Sequence, residues 1–241
     1  MFKYRALCHV LSLLLGLVTA AIAADPPGPA VSLEQVNLDN TKLRVHFIDV
    51  GPGLAMLIQT PGDKVQVFVD GGKRQFDSLM KYVKHFVPPN AKIDIGIVTH
   101  ADLDHYRGME KIFGKYDVGQ FWYTGYDSPQ LRVMWDKFLG VVEEEEECEQ
   151  YVPIKDYVDL GQIEPIDDRG TNSNTDDISV TYLNIDDAPS DVDSISGRHF
   201  DESERRNNAS LVFKLVYKDV SFLITGDING RDKDRKDEDT D

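Results

Sequence analysis

Cysteine is scarce in this chain: 241 residues hold two, Cys8 and Cys148. That excludes a small scaffold stapled by several disulfides, so stability has to come from core packing or a bound metal. Positive charge is also in short supply. Lys and Arg number 26 against 42 Asp and Glu, a formal charge of −16, which argues against a broad basic surface that grips a phosphate backbone by counterion release. No uninterrupted apolar run reaches the roughly 18 residues of a membrane span. Internal repeats, a GxSxG nucleophile elbow, a GxxxxGK phosphate loop and an aromatic RNA-binding signature are all missing. What is present is a length sufficient for one large domain or two small ones and an apolar content of 41%, enough for a sizeable core.

The two ends differ from the body. Residues 1–23 carry Lys3 and Arg5, an apolar stretch centred on Leu11 to Val18, and the small-x-small sequence Ala21, Ile22, Ala23. This pattern predicts a secretory signal peptide and hence a secreted or periplasmic protein. Cleavage after Ala23 removes Cys8 and two basic residues, and it leaves 24 basic residues against 42 acidic, a charge of −18. No membrane-spanning segment is then expected. Residues 24–41 read as a linker. Residues 230–241 contain no apolar side chain and cannot offset their ordering entropy by burial, so they read as a disordered acidic tail.

Between them, residues 42–229 read as one folded domain. Apolar runs around LRVHFIDV, LAMLIQT and VQVFVD predict strands, and turn formers separate them. Phe76, Leu79, Met80, Val83, Phe86 and Val87 recur at three-to-four spacing and predict an amphipathic helix that Pro88 and Pro89 stop. IDIGIVTH is continuously apolar, as expected of a strand buried on both faces. Helices are expected from about His105 to Tyr116 and from Pro129 to about Glu147, with a strand at VGQFWYT between them. Residues 160–208 are polar and poor in regular signals apart from ISVTYLNI, and SLVFKLVY and VSFLITG follow as adjacent strands, the last read as buried. The class is α/β, a sandwich of mixed sheets rather than a strictly alternating doubly wound sheet.

The residues richest in chemistry follow IDIGIV. THADLDHYRG places His100, Asp102, Asp104 and His105 within six residues at a strand end. Imidazole and carboxylate are ligands of borderline and hard divalent cations, and a strand-end loop projects them into a cleft from a rigid base. A capping role for Asp104 would account for one of the four. Asp227 closes a later strand as TGD, and Asp70 closes another as DGG. For Asp70 two readings stay open, a hairpin turn and support of a ligand from behind.

HxDxDH after an apolar strand resembles the metal-binding motif of the metallo-β-lactamase superfamily, in the variant with Asp replacing its second His. FIDVGPG (Phe47 to Gly53), FVDGG (Phe68 to Gly72), IVTHADLDHYRG, NNASLVFKL (Asn207 to Leu215) and FLITGD (Phe222 to Asp227) are similar, in the same order, to blocks of the ComEC-type competence proteins' C-terminal hydrolase domain. The resemblance runs from Leu43 to Asp227. It implies an αββα sandwich that stops short of its last helix and strand. It also implies a divalent metal, zinc or else manganese, up to two per chain. His100 and Asp102 would hold one ion, Asp104 and His105 the second, and Asp227 would bridge both, with Asp104 also acting on the attacking water. The implied activity is metal-dependent hydrolysis of a small-molecule or phosphodiester substrate by a metal-activated water.

Departures from that pattern motivate an alternative, a non-catalytic binding protein of the same fold that lacks the second metal site. Gly53 is followed by Leu54 where the family has Asp, Arg107 stands where a second Gly is common, and no histidine follows Asp227. His199, in a polar loop, is open between completing the first site and lying on the surface. His46 and His85 read as structural, Glu143 to Glu147 as a solvated helix end, and the aspartates from Asp176 to Asp193 lack the spacing of a calcium loop. A nuclease acting on long DNA is disfavoured by the charge of the chain.

Overall fold

The computed structural model describes residues 39–146, 148–151, 163–165, 178–194 and 196–228. The expected signal peptide, most of the linker and the acidic tail lie outside the described residues. Among the described residues ten strands form two sheets. The first has six strands in the order β1 (Arg44–Phe47), β2 (Met56–Gln59), β3 (Gln66–Val69), β4 (Ile93–Ile97), β5 (Val118–Trp122) and β6 (Glu149–Tyr151). β1, β2 and β3 are an antiparallel meander, whereas β3 through β6 run parallel. The sheet is therefore mixed, and the switch falls at β3.

Parallel neighbours need crossovers, and helices supply them. α1 (Phe76–Phe86) links β3 to β4, α2 (Leu103–Tyr106) and α3 (Met109–Phe113) link β4 to β5, and α4 (Arg132–Glu143) links β5 to β6. Their apolar faces, with Leu79 and Val83 of α1, Ile112 of α3 and Phe138 of α4, pack against Leu57, Phe68 and Phe121 of the sheet. Phe138 sits amid Tyr106, Phe113, Phe121 and Trp135, with ring centroids 5.3 to 5.9 Å away.

The opposite face of the first sheet presents Met56, Ile58, Val67, Val69, Ile95 and Ile97. A second sheet covers it, antiparallel throughout, with β8 (Ile178–Asn184) and β9 (Val212–Tyr217) at its centre and β7 (Ile163–Pro165) and β10 (Val220–Ile224) at its edges. Val180, Phe213, Leu215 and Ile224 meet the first sheet. β2 and β3 are consequently buried at every position, which explains why they are apolar except at Gln59 and Gln66, where the Gln59 amide donates to Gln66 Oε1 at 3.0 Å.

Three expectations change. The helix expected over His105 to Tyr116 is two short helices, because Gly108 donates its N–H to Gly72 O at 2.8 Å. β10 is an edge strand rather than a buried one: Val220 and Leu223 are 51% and 61% exposed, and only Ile224 is buried. Finally, the polar stretch contains α5 (Glu202–Asn208), started by a capping box in which Asp201 and Glu204 satisfy each other's backbone N–H groups. The signal was Asp201-x-x-Glu204, in a segment without apolar periodicity.

Candidate metal centre

The site is built at the C-terminal end of β4. Thr99 follows that strand and is fully buried, and its O accepts from Leu211 N at 2.7 Å, which ties β4 to the start of β9. Asp70 lies at the end of the neighbouring β3, also fully buried. It does not make a hairpin, since the chain leaves it for α1. Its backbone adopts φ of 55°, the left-handed region that Asp tolerates better than most residues. Asp70 Oδ1 accepts from Thr99 N at 2.8 Å, and Oδ2 accepts from Thr99 Oγ1 at 2.7 Å.

These contacts set both imidazoles. His105 Nδ1 lies 2.8 Å from Asp70 Oδ2, a carboxylate that can only accept, so the ring donates there and turns Nε2 away from the core. Thr99 Oγ1 has spent its proton on Asp70, so its oxygen accepts from His100 Nδ1 at 3.2 Å. Both rings thus carry hydrogen at Nδ1 and face the site with Nε2. One turn of α2 brings the His105 ring beneath that of His100, with centroids 4.1 Å apart.

Asp227, just beyond β10, supplies the third group. Its N–H donates to Ser210 Oγ at 3.1 Å, and its Oδ2 lies 3.3 Å from His105 Nε2. Ligand atoms of His100, His105 and Asp227 all fall within 4.8 Å of one another. The Nε2 atoms of both histidines are buried and make no hydrogen bond. A buried nitrogen left without a hydrogen bond costs about 1–3 kcal/mol, and two of them converging on a carboxylate form a set that could hold a cation. Two imidazoles and a carboxylate suit zinc and the neighbouring transition ions.

Electrostatics agree. Burial disfavours the His105 imidazolium, but the carboxylates of Asp70 and Asp227 outweigh it and push the His105 pKa up to about 10. Without a cation, a proton holds that place. Asp227 in turn is held below the ordinary carboxylate value by its contact with His105, against partial burial.

The other two expected ligands are turned elsewhere. Asp102 occupies the N-cap position of α2 yet makes no side-chain cap. Its Oδ1 is bound by Arg206 Nε, and its Oδ2 lies 3.7 Å from His100 Nε2. Burial raises its pKa, and the contacts with His100 and Arg206 more than reverse that. Asp104 lies in the first turn of α2, with Oδ2 3.8 Å from Lys73 Nζ. His199 is exposed in its loop and His85 is exposed on α1. His46 is buried with Nδ1 3.0 Å from Tyr82 Oη, and burial, with Arg44 nearby, pushes its pKa down to about 4. Arg206 was invisible to pattern reading, since it stands in a polar helix about a hundred residues from the motif.

Close backbone packing holds the loop in place. A Cβ on Gly108 would lie 1.9 Å from Gly71 O, and one on Gly53, at φ of 101°, would lie 1.8 Å from Asp104 O. Phe47, Leu54, Met56, Leu223 and Asp227 are among the residues that line a cleft of about 340 Å³. No helix among the described residues is long and apolar enough to cross a membrane. No protein-family model matches the chain, and no curated protein matches it.

Proposed function

We propose that this protein is a metal-dependent hydrolase with a metallo-β-lactamase-like αββα architecture, exported from the cell and acting on a phosphodiester. The observation that carries the reading is the pair of buried Nε2 atoms of His100 and His105, neither hydrogen-bonded, both oriented from behind and both grouped with Asp227. A divalent cation bound there would supply Lewis acidity and bring the pKa of water towards neutrality. Asp70 and Thr99 hold the imidazoles rigid, so little reorganisation accompanies binding. The cleft that Asp227 helps to line leaves room for a substrate next to that carboxylate. The phosphodiester assignment rests on the resemblance of the sequence blocks, because fold and ligands do not fix a substrate.

One observation favours a second reading, a one-ion binding protein without hydrolytic activity. Asp102 and Asp104 already face the cations Arg206 and Lys73, so a second metal would have to compete with both. Purified wild type loaded with Zn²⁺ or Mn²⁺ and assayed on bis-p-nitrophenyl phosphate, a chromogenic ester and a β-lactam separates the readings. Hydrolysis of the diester that chelator and His100→Ala both abolish supports the enzyme. One bound metal with no turnover of any of the three supports the binding protein, and turnover insensitive to chelation sinks the metal mechanism.

A further inference from the structure

β1 is an edge of the first sheet and β10 an edge of the second, and residues of both line the cleft of about 340 Å³. Strand register explains its character. Phe47 stands directly opposite Met56 in the β1–β2 ladder, so both side chains lie on one face, the face that meets the second sheet. Met56 is buried there among residues of that sheet, whereas Phe47 is 67% exposed. A phenylalanine on a core-facing position that nothing covers marks a gap at the margin of the inter-sheet layer. Leu54, packed against the same apolar cluster, and Leu223, 61% exposed, extend the apolar lining. Contiguous exposed apolar surface of this kind is a mark of a ligand-binding groove.

Two properties of the cleft decide what fits it. Asp227, with its side chain 51% exposed, lines the cleft and also belongs to the group with His100 and His105. A molecule whose reacting centre lies at that group can therefore extend into the cleft. Among the described residues that line it, Asp227 is the only ionisable one. No ammonium or guanidinium stands there to neutralise a further phosphate, so a polynucleotide strand finds no counter-charge, while an uncharged apolar group gains by leaving water. The volume lies near the lower end of ligand pockets, about 300–1,000 Å³, which suits a ring or a short alkyl chain rather than a helix or a strand. We propose that the cleft is the subsite for an ester group of the diester and that this group is uncharged and apolar, with Phe47 and Leu223 determining the preference. The proposal deepens the hydrolase reading above and rests on it.

Full-length protein loaded with Zn²⁺ is titrated with methyl(phenyl)phosphinate and with dimethylphosphinate, anions without an ester bond to hydrolyse that differ by one phenyl in place of a methyl. Affinities and the methyl NMR signals of Leu54, Met56 and Leu223 are recorded for wild type, Phe47→Ser, Leu223→Ser and the double variant, and sedimentation of the same samples gives the oligomeric state. Both side chains are largely exposed, so the variants are expected to fold and to keep their Zn²⁺ affinity. Wild type is expected to bind the phenyl compound about 10- to 100-fold more tightly than the dimethyl compound, with shifts in the methyl signals. Each serine should weaken binding of the phenyl compound about 3- to 10-fold and leave that of dimethylphosphinate unchanged. Equal affinity of wild type for the two phosphinates, or full affinity for the phenyl compound in the double variant, would overturn the proposal. A wild-type dimer that the double variant dissociates, with phosphinate affinity unchanged, would assign the patch to a second copy of the chain and overturn it as well. Wild type that takes up no Zn²⁺ would overturn the metal-centre reading and the subsite with it, whereas Zn²⁺ uptake without the phenyl preference overturns the subsite alone.

Discussion

At the scale of single residues, the side chain that organises the site is Asp70, which stands behind the His100, His105 and Asp227 group and offers it no ligand atom. Its carboxylate fixes the orientation of His105 and holds the Thr99 hydroxyl that orients His100. Asp70→Asn is predicted to weaken metal binding about 10- to 100-fold, as losses behind a ligand usually do, measurable by chelator competition. The pH dependence follows from His105. Its metal-free pKa is raised to about 10, above the roughly 6.5 of an unfolded histidine. Protonated His105 thus stabilises the metal-free protein fully below about pH 6.5, and that contribution is lost as pH rises through about 10. A cation must displace the same proton, so affinity should rise about tenfold per pH unit in that window. Asp70→Asn removes the largest influence that raises this pKa, and the midpoint should move to lower pH. An unmoved midpoint would show that Asp70 does not set the charge of His105.

At the scale of elements, the site depends on how α2 is seated. Tyr106 of α2 packs on Phe138 of α4 with ring centroids 5.3 Å apart, and the backbone beyond it abuts Gly71. Phe138→Ala is expected to cost about 3–5 kcal/mol in a urea melt, as for other buried aromatic truncations. Gly108→Ala has a backbone neighbour that cannot yield, and about 1–3 kcal/mol is expected for such overpacking. A loss well under 1 kcal/mol would mean that the α2–α3 junction moves freely. The same elements show what was legible in advance. The apolar runs of β2, β3 and β4 and the spacing in α1 predicted strands and helix within a few residues, because burial on a regular element leaves a period. The break at Gly108 left none, since its cause is a contact with Gly72. The exposure of β10 was equally hidden: SFLIT reads alike in a central strand and at an edge. The candidate ligands His100 and His105 were legible because one loop carries both, whereas the Arg206 contact to Asp102 joins positions 104 apart.

At the scale of the whole molecule, a cation that binds the folded state alone links metal to stability. Zn²⁺ at about a hundred times its dissociation constant should add about 2.7 kcal/mol to unfolding, seen as a melting temperature that falls on chelation. The formal charge of −16 also predicts no salt-dependent binding of long duplex DNA at micromolar concentration, and a binding constant that drops steeply with salt would contradict that. The central claim, that His100, His105 and Asp227 hold a cation, is tested most directly by elemental analysis of the purified protein after exhaustive dialysis. The account predicts about one equivalent of a divalent transition metal in wild type, and close to none in His100→Ala and His105→Ala variants that stay folded. Wild type that retains no metal, and whose melting temperature does not move when Zn²⁺ or Mn²⁺ is added, would contradict it.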